Sequence, residues 1–421
     1  MAKHLPPEFE EECLEFRASR ANNRGRPRSR AKHDLDVFRG VLLLLILLVA
    51  GGALAAGEIA NRQFPVDLGD FVTTAELSYP TAAEGPLPTL LLIHDSGPMD
   101  RDASAFSFDF ELREAKLLSN IFRDLAERVS SEGYAVIRYD KHYVTAGQVV
   151  DYPTYARLGM KQLLEDAARV LQAAESLPEV DPELIFLYGW GEGSTVAAAL
   201  ARRSEVAGLI LQGPVVRPWF DTLETQMLEV GIPYLKSFAP DGRVGADTLR
   251  EVLAGPGGVV AKSIVNYLAD PALFEDGTLA VSPFLDIDSD GVITLEGEFL
   301  PRGLAQGLAF LLSPLGPMWR YGRGQALPVL EQQAKRLKMP MLILQGERDA
   351  STPADDAAAL ADRLLAAGNG DVTLRLYPTL GHSLGETPSL TADNFQAIAE
   401  QPLKDLLEWL RLHRGGEAGS Q

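Results

Sequence analysis

The chain of 421 residues holds one cysteine, Cys13, and is short of positive charge: 39 Lys and Arg stand against 58 Asp and Glu, a formal net charge of −19. A lone cysteine excludes an intrachain disulfide, a cysteine nucleophile and a cysteine-built zinc site. The carboxylate surplus repels phosphate backbones, so no nucleic-acid partner is expected. Long apolar runs are also scarce. Only Val41 to Ala56 is unbroken, slightly short of the about 20 residues that cross a bilayer, although Val37 and Phe38 extend it around Arg39. Arg17, Arg20, Arg24, Arg26, Arg28, Arg30 and Lys32 precede it, and such one-sided basic charge stays in the cytoplasm. Two readings compete: a signal anchor, or a signal peptide cut after Ala53-Leu54-Ala55. The long leader favours the anchor. The expected layout is a disordered cytoplasmic tail over 1–36 and a membrane segment over 37–57. The rest then lies outside the cytoplasm, tethered by a single pass, or secreted or periplasmic if the signal is cut.

Beyond that segment, strand and helix patterns alternate, as in a parallel sheet covered on both faces. Strands are expected at 71–79, 89–94, 134–139, 184–188, 206–211, 341–344 and 372–377. Helices are expected at 111–129, 159–174, 194–202, 354–367 and 394–412. The continuous apolar runs Thr89 to His94 and Leu184 to Tyr188 suit strands buried on both sides. From 215 to 338 the alternation stops, and amphipathic helical stretches read as a lid over the C-terminal edge of the sheet, where open α/β folds build their sites. The core would then comprise 65–214 and 339–413.

Leu184 to Leu200 reads as strand, sharp turn, helix, with Gly189 and Gly193 flanking the turn as in the nucleophile elbow G-x-S-x-G. An acid and a base follow in the order that elbow requires: Asp349 after one strand, His382 after the last. Upstream, His94-Asp95-Ser96-Gly97-Pro98 follows a buried strand, where a second oxyanion-hole amide belongs. With Asp100-Arg101-Asp102, Arg138-Tyr139-Asp140-Lys141, Gly346 to Pro353 and Gly381-His382, the chain resembles the α/β-hydrolase superfamily, in particular dienelactone-hydrolase-like and serine-aminopeptidase-like bacterial esterases. The resemblance implies an α/β fold with a mostly parallel central sheet, helices on both faces and a mainly helical lid. It also implies acyl transfer on esters, amides or thioesters without a catalytic cofactor. Asp349 would orient His382, His382 would act as base, and the amides of Glu192 and of Asp95 or Ser96 would line the oxyanion hole.

Two residues depart from the family pattern. Asp95 stands where relatives carry glycine, and Gly191 stands where they carry the nucleophilic serine. Glycine cannot form an acyl intermediate, and in serine proteases loss of the nucleophile costs about a million-fold in turnover. Glycine also relieves backbone strain at an elbow. The expectation is an impaired enzyme that binds a small acyl compound or a peptide as a pseudoenzyme. The alternative is a live hydrolase using water activated by Asp349 and His382, or another nucleophile such as Ser96. Ser194, three residues into the helix, is expected to point elsewhere, and Ser383 to face away.

Within the lid, Asp286, Asp288 and Asp290 alternate ahead of Gly291, and Val292 offers a carbonyl, as in an EF-hand-like calcium loop. The twelfth position holds Gly297 rather than glutamate, so Glu296 or Glu298 would have to supply the last carboxylate of a loop over 286–298. Trp219, Phe220, Met227, Tyr234, Phe238, Trp319 and Tyr321 give the lid apolar surface, for packing or to cover an acyl group.

Overall fold

The computed structural model describes residues 58–414 apart from 110–113, 147–148 and 271–277. The N-terminal tail and the apolar run lie outside these, and no helix among the described residues is long and apolar enough to cross a membrane.

Eight strands form the central sheet: β1 (Ile59–Asp67), β2 (Val72–Pro80), β3 (Leu87–Ile93), β4 (Ala135–Tyr139), β5 (Val180–Trp190), β6 (Gly208–Gln212), β7 (Met341–Gly346) and β8 (Val372–Tyr377). Their spatial order is β1-β2-β4-β3-β5-β6-β7-β8. β1 and β2 run antiparallel, β2 meets β4 antiparallel, and every later pairing is parallel. This is the fold class expected from the sequence.

Side chains alternate across a strand, and here both faces are covered. Leu91 and Ile93 of β3, with Ile185 and Leu187 of β5, face the layer of helices α2 (Met160–Glu175), α3 (Glu192–Ala201) and α4 (Ala354–Ala366). Leu90, Leu92, Phe186 and Tyr188 face α1 (Ile121–Ser130) and α5 (Glu400–His413) on the other side. That double burial is why these strands read as unbroken apolar runs.

Two expectations need correction. The helix read over 111–129 begins only at Ile121, because Ser104–Asp109 and Glu114–Asn120 pair as an antiparallel hairpin. Side-chain bonds hold that stretch extended: Ser119 Oγ donates to the Phe395 carbonyl and Ser104 Oγ to Asn120 Oδ1. The helix read over 394–412 starts at Glu400 instead.

Between β6 and β7 the chain leaves the sheet. Helical segments at Trp219–Thr225, Ile232–Lys236, Ala246–Ala254 and Leu304–Leu311 surround a hydrophobic centre of their own, including Leu223, Met227, Leu235, Leu249, Ile264 and Phe299. A two-residue ladder pairs Arg243 and Val244 with Thr294 and Ile293, just after the aspartate loop.

Candidate active site

β5 ends at Trp190 and α3 begins at Glu192, so one residue makes the turn. Close approach dictates its flanks. A Cβ on Gly189 would lie 2.4 Å from the Gly193 carbonyl oxygen, and one on Gly193 would lie 2.3 Å from that of Ile93. Gly191 itself has φ +51° and ψ −116°, a conformation that L side chains rarely adopt and glycine takes without strain.

The acid and base meet as the chain order suggested. Asp349 Oδ2 lies 2.8 Å from His382 Nδ1. The remaining capacity of Asp349 is filled by the amides of Ser351 and Thr352, the Thr352 hydroxyl and the Gln345 amide, all at 2.8–2.9 Å. The backbone of His382 is pinned as well, its N–H donating to Asp393 Oδ2 at 3.0 Å. Burial and the nearby charge of Asp349 push the Asp393 carboxyl up to about 6.

Asp95 takes the other side of the imidazole. Its Oδ2 lies 3.1 Å from His382 Nε2, while its Oδ1 accepts from the backbone N–H of Glu192 at 3.0 Å. That amide is the donor an elbow offers to an oxyanion. A Cβ built on Gly191 would sit 1.8 Å from Asp95 Oδ1 and 3.0 Å from His382 Nε2. The aspartate carboxylate therefore fills the space that a side chain at residue 191 would need. Both donors meant for the reacting centre are engaged by the chain itself.

The charges of this triplet support one another. Burial alone would depress the His382 pKa, but the charges of Asp349 and Asp95 outweigh it and hold the ring well above the usual histidine value. Burial would likewise raise Asp95, yet the His382 charge overcomes it and keeps the carboxyl below its ordinary value. Both ring nitrogens face carboxylates, an arrangement that favours the imidazolium and leaves neither nitrogen free to take a proton from a nucleophile. His94, by contrast, is buried beside Lys141 and its pKa falls to about 3, so it stays neutral.

Ser96 is exposed, and with His382 committed to two carboxylates, no base is aimed at it. Ser194 turns away as expected, its Oγ donating to the Gly191 carbonyl at 2.6 Å and accepting from Val215 N at 3.0 Å. Ser383 Oγ donates to the Gln396 carbonyl.

Sequence reasoning missed the far side of the elbow. The Glu192 side chain is buried and accepts from Lys141 Nζ at 2.8 Å and from Tyr321 Oη at 2.6 Å. Lys141 Nζ also donates to the carbonyls of Asp95 (2.6 Å) and Gly97 (3.0 Å). Tyr321 belongs to the lid and stacks on Trp219, ring centroids 3.9 Å apart. The Arg138 to Lys141 motif had pointed to the end of β4, but nothing in one sequence joins residues 141, 192 and 321. Arg101 closes the same loop, its backbone N–H and guanidinium donating to Asp140 at 2.8 and 2.9 Å.

In the lid loop, carboxylate oxygens of Asp286, Asp288 and Asp290 converge within 4.8 Å of one another. Asp286 also accepts from the amides of Asp290 and Gly291. The two flanking glutamates have partners of their own. Glu298 accepts from the amides of Ile287, inside the loop, and of Thr294, and Glu296 pairs with Lys236 at 3.1 Å.

No family model matches the chain. Esterase EstD of Thermotoga maritima is 32% identical over 144 residues, 34% of this chain and 31% of that protein, so the chain spans about a third of its relative's length. Among solved structures, the alpha/beta hydrolase GrgF from Penicillium sp. sh18 is 18% identical, covering 85% of this chain and 99% of its own at a TM-score of 0.45. The dienelactone hydrolase-like promiscuous phosphotriesterase P91, from metagenomic libraries, is 12% identical, covering 85% and 100% at 0.45. The strand order, not these superpositions, defines the fold. With an antiparallel β1–β2 edge, a glycine-flanked elbow after β5, an acid after β7 and a histidine after β8, the chain has the α/β-hydrolase fold.

Proposed function

We propose that this chain is a catalytically silent α/β-hydrolase, an esterase-like scaffold that binds a small acyl compound or peptide and does not turn it over. One observation carries the reading: Asp95 occupies the place of the missing serine, held by the oxyanion-hole amide and the catalytic histidine. Acyl transfer needs a nucleophile, a neutral imidazole to take its proton, and a vacant donor pair for the oxyanion. At this centre glycine supplies no nucleophile, the imidazole is favoured as imidazolium, and a carboxylate already sits on the donor. The same geometry speaks against the water-activated route, because both nitrogens of His382 are already paired with carboxylates. The N-terminal apolar run would tether this domain outside the cytoplasm.

The test is hydrolysis of short and medium p-nitrophenyl acyl esters by the full chain, by Gly191→Ser, and by Asp95→Gly/Gly191→Ser. The natural chain should be silent, the single variant nearly so, and the double variant active. Turnover by the natural chain that disappears in His382→Ala would overturn the reading.

The lid loop supports a second, separate proposal. Asp286, Asp288 and Asp290 with the Val292 carbonyl, and Glu296 or Glu298 as the last carboxylate, would hold a calcium ion weakly, bracing the lid, since Gly297 stands where such a loop usually has its glutamate. Calcium should raise the melting temperature of the natural chain by a few degrees at millimolar concentration. The rise should vanish in Asp288→Ala, and an equal rise in that variant would refute the site.

A further inference from the structure

Deepening the silent-site reading, we infer that the remodelled centre is a receptor for a small monocarboxylate, and that Asp95 is its tethered ligand. The donors define the class. Glu192 N–H and the His382 ring grip the two oxygens of one carboxylate at 3.0 and 3.1 Å, and the Ser96 backbone N–H also donates to it. A neutral amide or an ester lacks the charge that would hold the imidazolium, and a divalent anion would add charge beside the Asp349 carboxylate. Gly191 leaves the volume open: the atoms a side chain there would strike are the Asp95 carboxylate and His382 Nε2. Beyond its Cα, the Asp95 side chain has the size and chemistry of acetate.

The loop that delivers Asp95 is fixed independently of its carboxylate. Lys141 Nζ holds the main-chain carbonyls of Asp95 and Gly97, and Asp140 holds the backbone and guanidinium of Arg101. Removing the side chain therefore vacates the donors without freeing the loop. In the natural chain the tether acts as a ligand at high effective concentration, millimolar or above. Weak free acids are thereby shut out. A natural ligand would have to displace Asp95, which selects a carboxylic acid whose tail adds contacts of its own.

Thermal unfolding of the full-length Asp95→Gly chain in sodium acetate, against sodium chloride of equal ionic strength at neutral pH, tests this. The variant should melt below the natural chain and regain at least half of the loss as acetate rises to tens of millimolar, saturably. The natural chain should not respond. Acetate that does no more than chloride would overturn the inference, and so would a variant that stays unfolded in acetate. Asp95→Asn guards against a general packing effect. It keeps the shape of the occupant, so it should be blind to acetate, while its His382 ring, followed by NMR, should lose its proton at lower pH than in the natural chain. An acetate response in Asp95→Asn, or an unmoved His382 titration, would place the carboxylate elsewhere. None of these readouts uses turnover. Ester hydrolysis by the natural chain would refute silence alone, and absence of acetate rescue would refute the tethered ligand alone.

Discussion

The two halves of the centre have fared differently. On the Asp349 side, an acid oriented by four donors holds His382 Nδ1 as a working hydrolase would. On the Gly191 side, a serine is absent, a carboxylate is present, and the oxyanion amide is occupied. The contrast shows that losing a catalytic residue need not leave a hole. A buried imidazole next to an empty, polar-lined space would leave ring and amide donors without partners, which costs about 1–3 kcal/mol for each group. Asp95 satisfies both at once. The intact half then no longer serves as a proton relay and acts as one arm of a buried ion triplet.

The largest expected effect comes from reversing the rebuilt half. Gly191→Ser alone cannot place its side chain, since the Cβ would meet the Asp95 carboxyl at 1.8 Å and that group is bonded at both oxygens. Asp95→Gly removes the obstruction, and also a carboxylate from the spot where negative charge develops in acyl transfer. The double variant should hydrolyse p-nitrophenyl esters at least a thousand-fold faster than Gly191→Ser, a modest part of the about million-fold that a serine nucleophile is worth. If the single variant matches the double, Asp95 does not block the site and the comparison between the halves fails.

The next largest effect tests whether His382 has become structural. In a working hydrolase, replacing the base chiefly removes rate. Here His382→Ala strands two buried carboxylates, Asp95 and Asp349, facing each other. Removing one member of a buried charged set costs about 3–5 kcal/mol, readable as a fall in the urea unfolding midpoint. The pH dependence has a definite sign. The His382 pKa is raised in the folded chain, so its contribution is complete below the unfolded value near 6.5 and fades as pH climbs toward the higher folded value. The lowered Asp95 contributes above about pH 4 and is lost on further acidification. Asp393, pushed up to about 6, opposes it by weakening the fold from about pH 4 to 6. The natural chain should therefore lose more stability between pH 6.5 and 9 than His382→Ala does. Parallel losses would assign the ring no charged role.

Much of this was legible in the sequence. The buried strands announce themselves because both faces are covered, and the elbow, Asp349 and His382 follow one another in a required order. The hairpin at 104–120 was hidden because Leu117 and Leu118 suit either a strand or a helix turn, and the side-chain bonds that decide the matter reach Phe395. The role of Asp95 was hidden differently. Asp95 and Gly191 were each visible as a departure from the family pattern, but they lie 96 positions apart, and only the pairing of β3 with β5 makes them neighbours. A lost side chain and a gained carboxylate at positions that the fold brings together can be read as a compensating pair.

The smallest effect concerns how the lid reaches the rebuilt half. Tyr321 donates to Glu192, Glu192 accepts from Lys141, and Lys141 holds the carbonyl of Asp95. On the intact side, the donors to Asp349 other than His382 come from the core segment 345–352, and the lid ion pair of Arg217 with Asp356 lies beyond them on α4. Tyr321→Phe keeps the ring stacked on Trp219 and removes only the hydroxyl, leaving one oxygen of a buried carboxylate short of a donor. A hydrogen bond to a charged group contributes about 1.5–3 kcal/mol, and the Lys141 bond that remains puts the expected loss at the lower end. Hydrogen exchange should locate the change. The amides at 319–321 should exchange faster in the variant, while those of Ser351 and Thr352 beside Asp349 should not. Faster exchange at both places would mean that the lid braces the whole centre and that the two halves are not separately supported. Unchanged exchange at 319–321 would mean that stacking on Trp219 alone seats the lid, with Glu192 relying on Lys141.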